Sequence, residues 1–236
     1  MRVTQRAIDS EALPWESLSE VLQRKVLNGD PESGPHTLLL RSGPREPGPD
    51  SGQYHPIDEE LFALDGDFTF DGSTWFGRGS YAFYPAFHVH GANVHVRGGY
   101  TVYLRLSGVS ELFKVEDPVS DAPYYVGEGQ ATGAPLQLAD TFSDVSLAHG
   151  ELYALRRSSG GGGSTLLAAA MGDAIDLEAP GLLEVFVLSG AFHLADGAAL
   201  PQYGYHCEVG DRSQVSLACD TPGTLLISHE GELLLR

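Results

Sequence analysis

The sequence predicts an all-β protein built as two tandem copies of one β domain. Three observations carry this. Gly (29) and Pro (14) are abundant, so turns should be frequent and long helices few. Short runs rich in Val, Leu, Phe and Tyr recur between clusters of Gly, Pro, Asp and Ser, the pattern of strands joined by tight turns. The chain also matches itself. EELFALDGDF (59–68) and LEVFVLSGAF (183–192) share Glu60/Glu184, Phe62/Phe186, Leu64/Leu188, Gly66/Gly190 and Phe68/Phe192 at a shift of 124, which Pro56 and Pro180 also keep.

In chain order, WESLSEVLQRKVLNG (15–29) is the one stretch with helix-like periodicity and reads as a short helix or an irregular arm. HTLLLRS (36–42), EELFALDGDFTF (59–70), GSYAFYP (79–85), VHVRGG (94–99) and YTVYLRLSG (100–108) read as strands. In the second half Thr165-Leu166-Leu167 answers Thr37-Leu38-Leu39, and TLLISHEG (224–231) answers TVYLRLSG (101–108). These matches keep the same order, as a duplication requires. SSGGGGST (158–165) aligns with DPESGPHT (30–37) and so reads as a hairpin loop within the second half, which leaves GEGQATGAPLQ (127–137) as the linker. The expected division is 1–126 with an N-terminal arm, then the linker, then 138–236. Each half should form a sandwich, jelly roll or barrel.

At 236 residues the chain can build cores that need no disulfide. Its net charge of −18 argues against a nucleic-acid partner and against an anionic membrane surface. No apolar run approaches the ~18 residues of a spanning helix. MRVTQRAIDSEALPWESL at the start lacks the apolar stretch of a signal peptide, so a cytoplasmic location is expected. Cys207 and Cys219 have no CxxC spacing and read as packing residues.

Chemistry concentrates in GQYHPIDEELFALDG (52–66) and GSYAFYPAFHVHGAN (79–93). His55 stands four residues before Glu59, and Pro85 five before His90. Two imidazoles and a carboxylate from neighbouring strands of a small barrel suit a divalent iron, zinc, nickel, cobalt or manganese ion with positions left open for substrate. The second half has lost these residues at the same shift: His55 becomes Ala179, Glu59 becomes Leu183, Gln53 becomes Leu177, and His90 falls near Ser213 or Gln214. The second domain should therefore be a metal-free support. Glu60, whose counterpart Glu184 persists there, reads as structural.

These two runs resemble the motifs of the cupin superfamily. The first family motif is G(X)5HXH(X)3-4E(X)6G; His55, Glu59 and Gly66 fall on its second His, its Glu and its last Gly, with Gln53 where the first His stands. The second is G(X)5PXG(X)2H; Gly79, Pro85 and His90 match, with Phe87 in place of the inner Gly. From KVLNGDPESGPHTLLLRS into YHPIDEELFALDGDF the likeness is closest to the cupin domains of ChrR-type anti-sigma factors and of acetylacetone-dioxygenase-like cupins. It implies tandem double-stranded β-helix (jelly-roll) barrels, that is, a bicupin. It further implies a metal held by His55, Glu59 and His90, with Gln53 or His88 as a further ligand and Fe(II) favoured over Zn, Ni or Mn. If His88 does not ligate, it is the candidate catalytic base. Phe62, Tyr81, Phe83, Tyr84 and Phe87 are expected to wall the substrate pocket. The implied function is dioxygenase-like cleavage of a small dicarbonyl or hydroxy-ketone. The alternatives are a lyase or isomerase using another metal, or a non-catalytic bicupin that binds or senses a small ligand. A homodimer is a further expectation from such barrels.

Overall fold

The computed structural model describes residues 1–47, 52–91, 94–115, 125–126, 129–130, 135–139 and 147–236. In chain order the strands are β1 (Gln5–Asp9), β2 (Glu16–Ser17), β3 (Leu22–Gly29), β4 (His36–Ser42), β5 (Gly52–Tyr54), β6 (Glu59–Thr69), β7 (Trp75–Phe76), β8 (Tyr81–Tyr84), β9 (His95–Leu106), β10 (Phe113–Val115), β11 (Tyr125–Val126), β12 (Gly129–Gln130) and β13 (Leu136–Leu138). They continue with β14 (Leu152–Arg157), β15 (Gly163–Ala169), β16 (Ala174–Leu194), β17 (Ala199–Leu200), β18 (Gly204–His229) and β19 (Leu234–Leu235). Among the described residues one 3-10 turn, Ser10–Ala12, is capped by the Asp9 carboxylate, which accepts from the Glu11 amide. Among the described residues no helix is long and apolar enough to cross a membrane.

The chain divides into two compact units. Met1 and Trp15–Val145 form the first; Arg2–Pro14 and Ser146–Arg236 form the second. The arm that the sequence suggested for the first half thus belongs to the second, because β1 pairs with β18 through Gln5–Cys207, Ile8–Tyr205 and Asp9–Gly204. Of the expected linker 127–137, residues 127–128 and 131–134 lie outside the described residues. Leu136 and Gln137 instead stand on β13, paired with β8.

In the first unit the main sheet runs β13-β8-β6-β9-β4-β3-β2, all antiparallel, with β7 on β6. The expected helix or arm at 15–29 is instead an edge ribbon. The Ser19 hydroxyl accepts from the Val21 and Leu22 amides and turns the chain, and β3 then pairs with β4 along its length. Local helical periodicity yields here to ladder hydrogen bonds and to burial of Lys25, Leu27 and Asn28. Alternation along β6 places Glu59, Leu61 and Ala63 on one face and Glu60 and Phe62 on the other. Leu61 and Ala63 join Leu38, Phe68, Val102 and Leu104 in the core. Each fully buried Leu, Val or Phe side chain contributes about 1.5–3 kcal/mol relative to exposure.

In the second unit the order is β14-β15-β18-β16-β17, with β1 on β18 and β19 on β16. The 26-residue β18 folds around β16 and pairs with it twice: Glu184 lies opposite both Cys207 and Ser228. One long bent strand thereby closes the jelly roll. SSGGGGST forms the predicted hairpin turn between β14 and β15.

The duplication extends to single contacts. The Tyr81 hydroxyl donates to Glu60 Oε1 at 2.6 Å, and Tyr205, 124 residues on, donates to Glu184 Oε1 at 2.6 Å. The Gly79 amide donates to the Ala63 carbonyl, and the Tyr203 amide to the Val187 carbonyl. Gly79 has φ 90° and Tyr203 φ 63°, so a tyrosine has taken over a glycine's left-handed turn.

Candidate metal centre

Three side chains converge in the first unit. His55 follows β5, Glu59 opens β6, and His90 forms an isolated two-way backbone bridge with Gln53. His90 Nε2 stands 3.2 Å and His55 Nε2 3.6 Å from Glu59 Oε2. One ligand atom from each residue lies within 4.8 Å of the others.

Backbone hydrogen bonds hold the two loops together. The Phe87 amide donates to the His55 carbonyl, the Ala86 amide to the Asp58 carboxylate, and the Asp58 amide to the Ser107 hydroxyl. Asp58 thus ties the His55–Glu59 segment to the Pro85–His88 turn, a role sequence reading missed; its place between His55 and Glu59 is the only signal. Phe87 occupies the position where the cupin motif carries glycine and has the left-handed φ of 65°, a region that glycine favours. A bulky residue there is strained, and its ring packs on Tyr54 at 6.1 Å.

Each imidazole is oriented by its other nitrogen. His55 Nδ1 lies 2.7 Å from the Glu111 carbonyl oxygen and His90 Nδ1 3.2 Å from that of His88. A carbonyl only accepts, so each Nδ1 carries a proton, and in its neutral form each imidazole turns the Nε2 lone pair toward Glu59. Tyr84 stacks on His90 at 4.3 Å and 7° and accepts from Gln137 Nε2 at 3.1 Å. Burial works to raise the Glu59 carboxyl, but the positive charge of His90 and His55 in their protonated forms outweighs it and holds the carboxyl below the usual carboxylate range. Glu59 Oε2 is buried, and no contact to it has hydrogen-bond alignment among the described residues. An unmet carboxylate oxygen facing two imidazole lone pairs fits a divalent cation: two nitrogens and one oxygen, with coordination positions left over.

The trio faces a cavity of about 550 Å³, which Gln53 also lines. Gln53 sits directly across the bridge from His90, so the two side chains share a face. His88 is not in the cluster and does not line the cavity. Its placement beside His90 assumed a regular strand, whereas residues 85–88 form a turn in which the His88 amide donates to the Pro85 carbonyl. The His88 ring lies nearly parallel to Tyr84 at 5.8 Å. The expected pocket walls are also corrected. Phe62, Tyr81, Phe83, Tyr84 and Phe87 do not line this cavity. Phe62 shares the face of β6 that carries Glu60, to which Tyr81 is bonded, while Phe83 pairs with that same strand position. Phe70, Tyr100 and Arg45 line the cavity instead, from segments whose convergence no local pattern reveals.

In the second unit Leu177, Ala179 and Leu183, at the lost ligand positions, are all core residues. Glu60, read as structural, meets the Tyr81 hydroxyl and lies 3.3 Å from Arg105 Nη1; Glu184 meets Tyr205 and lies 3.5 Å from Arg2 Nε.

Two jelly rolls, one with a His-Glu-His cluster open to a cavity, define the cupin class. Residues 3–110 match the ChrR cupin-like domain. No curated protein matches the chain. Among solved structures, a candidate dioxygenase from Nostoc punctiforme is 16% identical, with 100% of this chain and 87% of that one covered and a TM-score of 0.75. A variant of oxalate decarboxylase from Bacillus subtilis is 13% identical over 99% of this chain and 79% of that one, with a TM-score of 0.60. The nickel(II) complex of the bacterial pirin YhhW from Escherichia coli is 8% identical over 95% and 98%, with a TM-score of 0.61. At these identities the likeness is one of fold.

Proposed function

We propose that this protein is a metal-dependent cupin oxygenase, with Fe(II) held by His55, Glu59 and His90, that cleaves a small dicarbonyl or hydroxy-ketone. The observation that carries this reading is the buried, unmet Glu59 Oε2 facing two imidazoles whose Nδ1 atoms are tied to carbonyls. When bound, the ion supplies Lewis-acid and one-electron chemistry. The chain's own residues do the rest. The Glu111 and His88 carbonyls fix the imidazole tautomers. Glu59 lowers the net charge of the centre. Apolar walls such as Leu38, Leu104 and Leu106 exclude water from the bound molecule.

The candidate dioxygenase of Nostoc supports the oxygenase reading through its shared fold. Gln53, standing where the family motif has a histidine, favours a second reading: a cupin that binds a metal and a ligand without oxygen chemistry. Metal analysis of protein purified without chelator, then oxygen uptake with Fe(II) and a panel of diketones, separates the two. Uptake that requires both Fe(II) and substrate, and that is lost in His55→Ala along with metal content, is expected. Stoichiometric metal without uptake selects the second reading, and unchanged metal content in His55→Ala refutes the centre as drawn.

A further inference from the structure

The charges around the cavity run against those of the protein as a whole. The chain has 32 acidic and 14 basic residues. The described residues lining the cavity include three cations, Arg24, Arg45 and Lys114, against one carboxylate, Glu59 of the metal centre. Arg24 is already committed, lying 3.1 Å from Glu16 and 3.8 Å from Glu32. Arg45 and Lys114 form no ion pair with any described residue.

Arg45 is anchored where it stands. Its amide and carbonyl exchange two 2.9 Å hydrogen bonds with Val96, so its side chain leaves a paired backbone at the cavity wall. Lys114 is paired through β10 with Gln53, beside the metal centre. Tyr100 also lines the cavity, with its ring packed on Phe68 at 4.5 Å. No described residue hydrogen-bonds its hydroxyl. Burial and the Glu59 carboxylate raise that hydroxyl and Arg45 lowers it, leaving it pushed up to about 12. It therefore keeps its proton and serves as a donor, and it feels both the metal centre and Arg45. Between these polar groups the lining is aliphatic, from Leu38, Leu40, Val96 and Leu104.

We propose that the cavity selects an organic anion: a small molecule with an apolar body whose carboxylate, remote from the reacting carbonyls, is held by Arg45 and the Tyr100 hydroxyl within the positive field that Lys114 reinforces. The proposal rests on the metal-centre reading and names the substrate class within it. Arg45 and Lys114 are exposed residues, so they stand at the rim, where arginine offers a carboxylate two parallel N–H donors while the apolar body of the ligand lies against the leucines inside. A neutral dicarbonyl would leave both cations unmatched.

The test compares 4,6-dioxoheptanoate with heptane-2,4-dione, which share the β-dicarbonyl and differ in the remote carboxylate. Their binding is measured by titration calorimetry to Zn(II)-loaded and to metal-free full-length protein. The anion is expected to bind at least about tenfold tighter in both forms. The Arg45→Gln/Lys114→Gln variant should bring the ratio to about one without changing the affinity for heptane-2,4-dione, and Tyr100→Phe should reduce it about threefold. Equal affinities in the wild type, a preference that survives the double variant, or no saturable binding of the anion up to about 10 mM overturns the proposal. Failure of the metal reading shows differently: Zn(II) would then leave the affinity for heptane-2,4-dione unchanged, while the ratio between the probes still decides the anion site.

Discussion

Glu59 does its work because three preferences meet at one oxygen. Burial disfavours its charge, His55 and His90 restore it when protonated, and no described contact to Oε2 has hydrogen-bond alignment, so a cation can take the place of those protons. Glu59→Gln should keep the fold, with stability in the metal-free state altered by no more than about 1 kcal/mol. It should reduce bound metal to background by elemental analysis; retained stoichiometric metal would place the ion elsewhere. Its neighbour makes the opposite case. Glu60 is bound by Tyr81 and paired with Arg105 on the other face of β6, away from the trio. Tyr81→Phe should cost about 1–3 kcal/mol by urea unfolding, since it strips a buried carboxylate of a donor. The same variant should leave metal content untouched.

The elements are shaped by bends that recur 124 residues apart. Gly66 has φ 118° and faces Gly99 with φ 115°; a Cβ on Gly66 would lie 2.6 Å from the Gly99 carbonyl oxygen. Gly190 has φ 81° and a Cβ there would lie 2.6 Å from the Gly223 Cα. Both mark places where one strand of the ladder carries an extra residue and bends. Gly66→Ala and Gly190→Ala should each destabilise by at least about 1–3 kcal/mol, read as a lower urea midpoint. An unchanged midpoint would mean the bend has another geometry. On β18, His206 gives the second unit a pH response. Burial lowers its pKa from the ordinary 6.5, against the opposing pull of Glu208 at 3.1 Å. The unfolded chain then takes up the proton more readily than the folded one. This contribution to stability is complete above 6.5 and lost as pH falls below it. The urea midpoint should fall between about pH 7.5 and pH 5, and His206→Gln should flatten that fall.

Across the whole molecule, one unit holds the candidate centre and the other fills the equivalent positions with Leu177, Ala179 and Leu183. A ligand of the native state stabilises by about 2.7 kcal/mol at a hundredfold excess over its Kd. Added Fe(II) or Zn(II) should therefore slow amide hydrogen exchange in β5, β6 and the Pro85–His90 turn, with β16 and β18 unaffected and with reversal by chelator. Equal protection of both units would show a second ion-binding place. The net charge of −18 makes repulsion general, which gives Arg45 and Lys114, without an ion pair among the described residues, their contrast with the rest of the molecule.

By itself the sequence determined the all-β class, the duplication and the trio of His55, Glu59 and His90, because strand alternation, turn residues and ligand spacing are local patterns that survive without coordinates. Only the tertiary structure decided that Arg2–Pro14 belong to the second unit, that residues 15–29 form strands rather than a helix, and that the cavity is lined by Phe70, Tyr100 and Arg45 in place of Phe62, Tyr81, Phe83 and Phe87. Which strand pairs with which, and which face of a strand turns inward, depends on partners far apart in the chain. The parity of β6 was legible, but what each face meets was not. The turn at Phe87 removed His88 from the place that alternation would have assigned it, since one left-handed residue is enough to end a period of two.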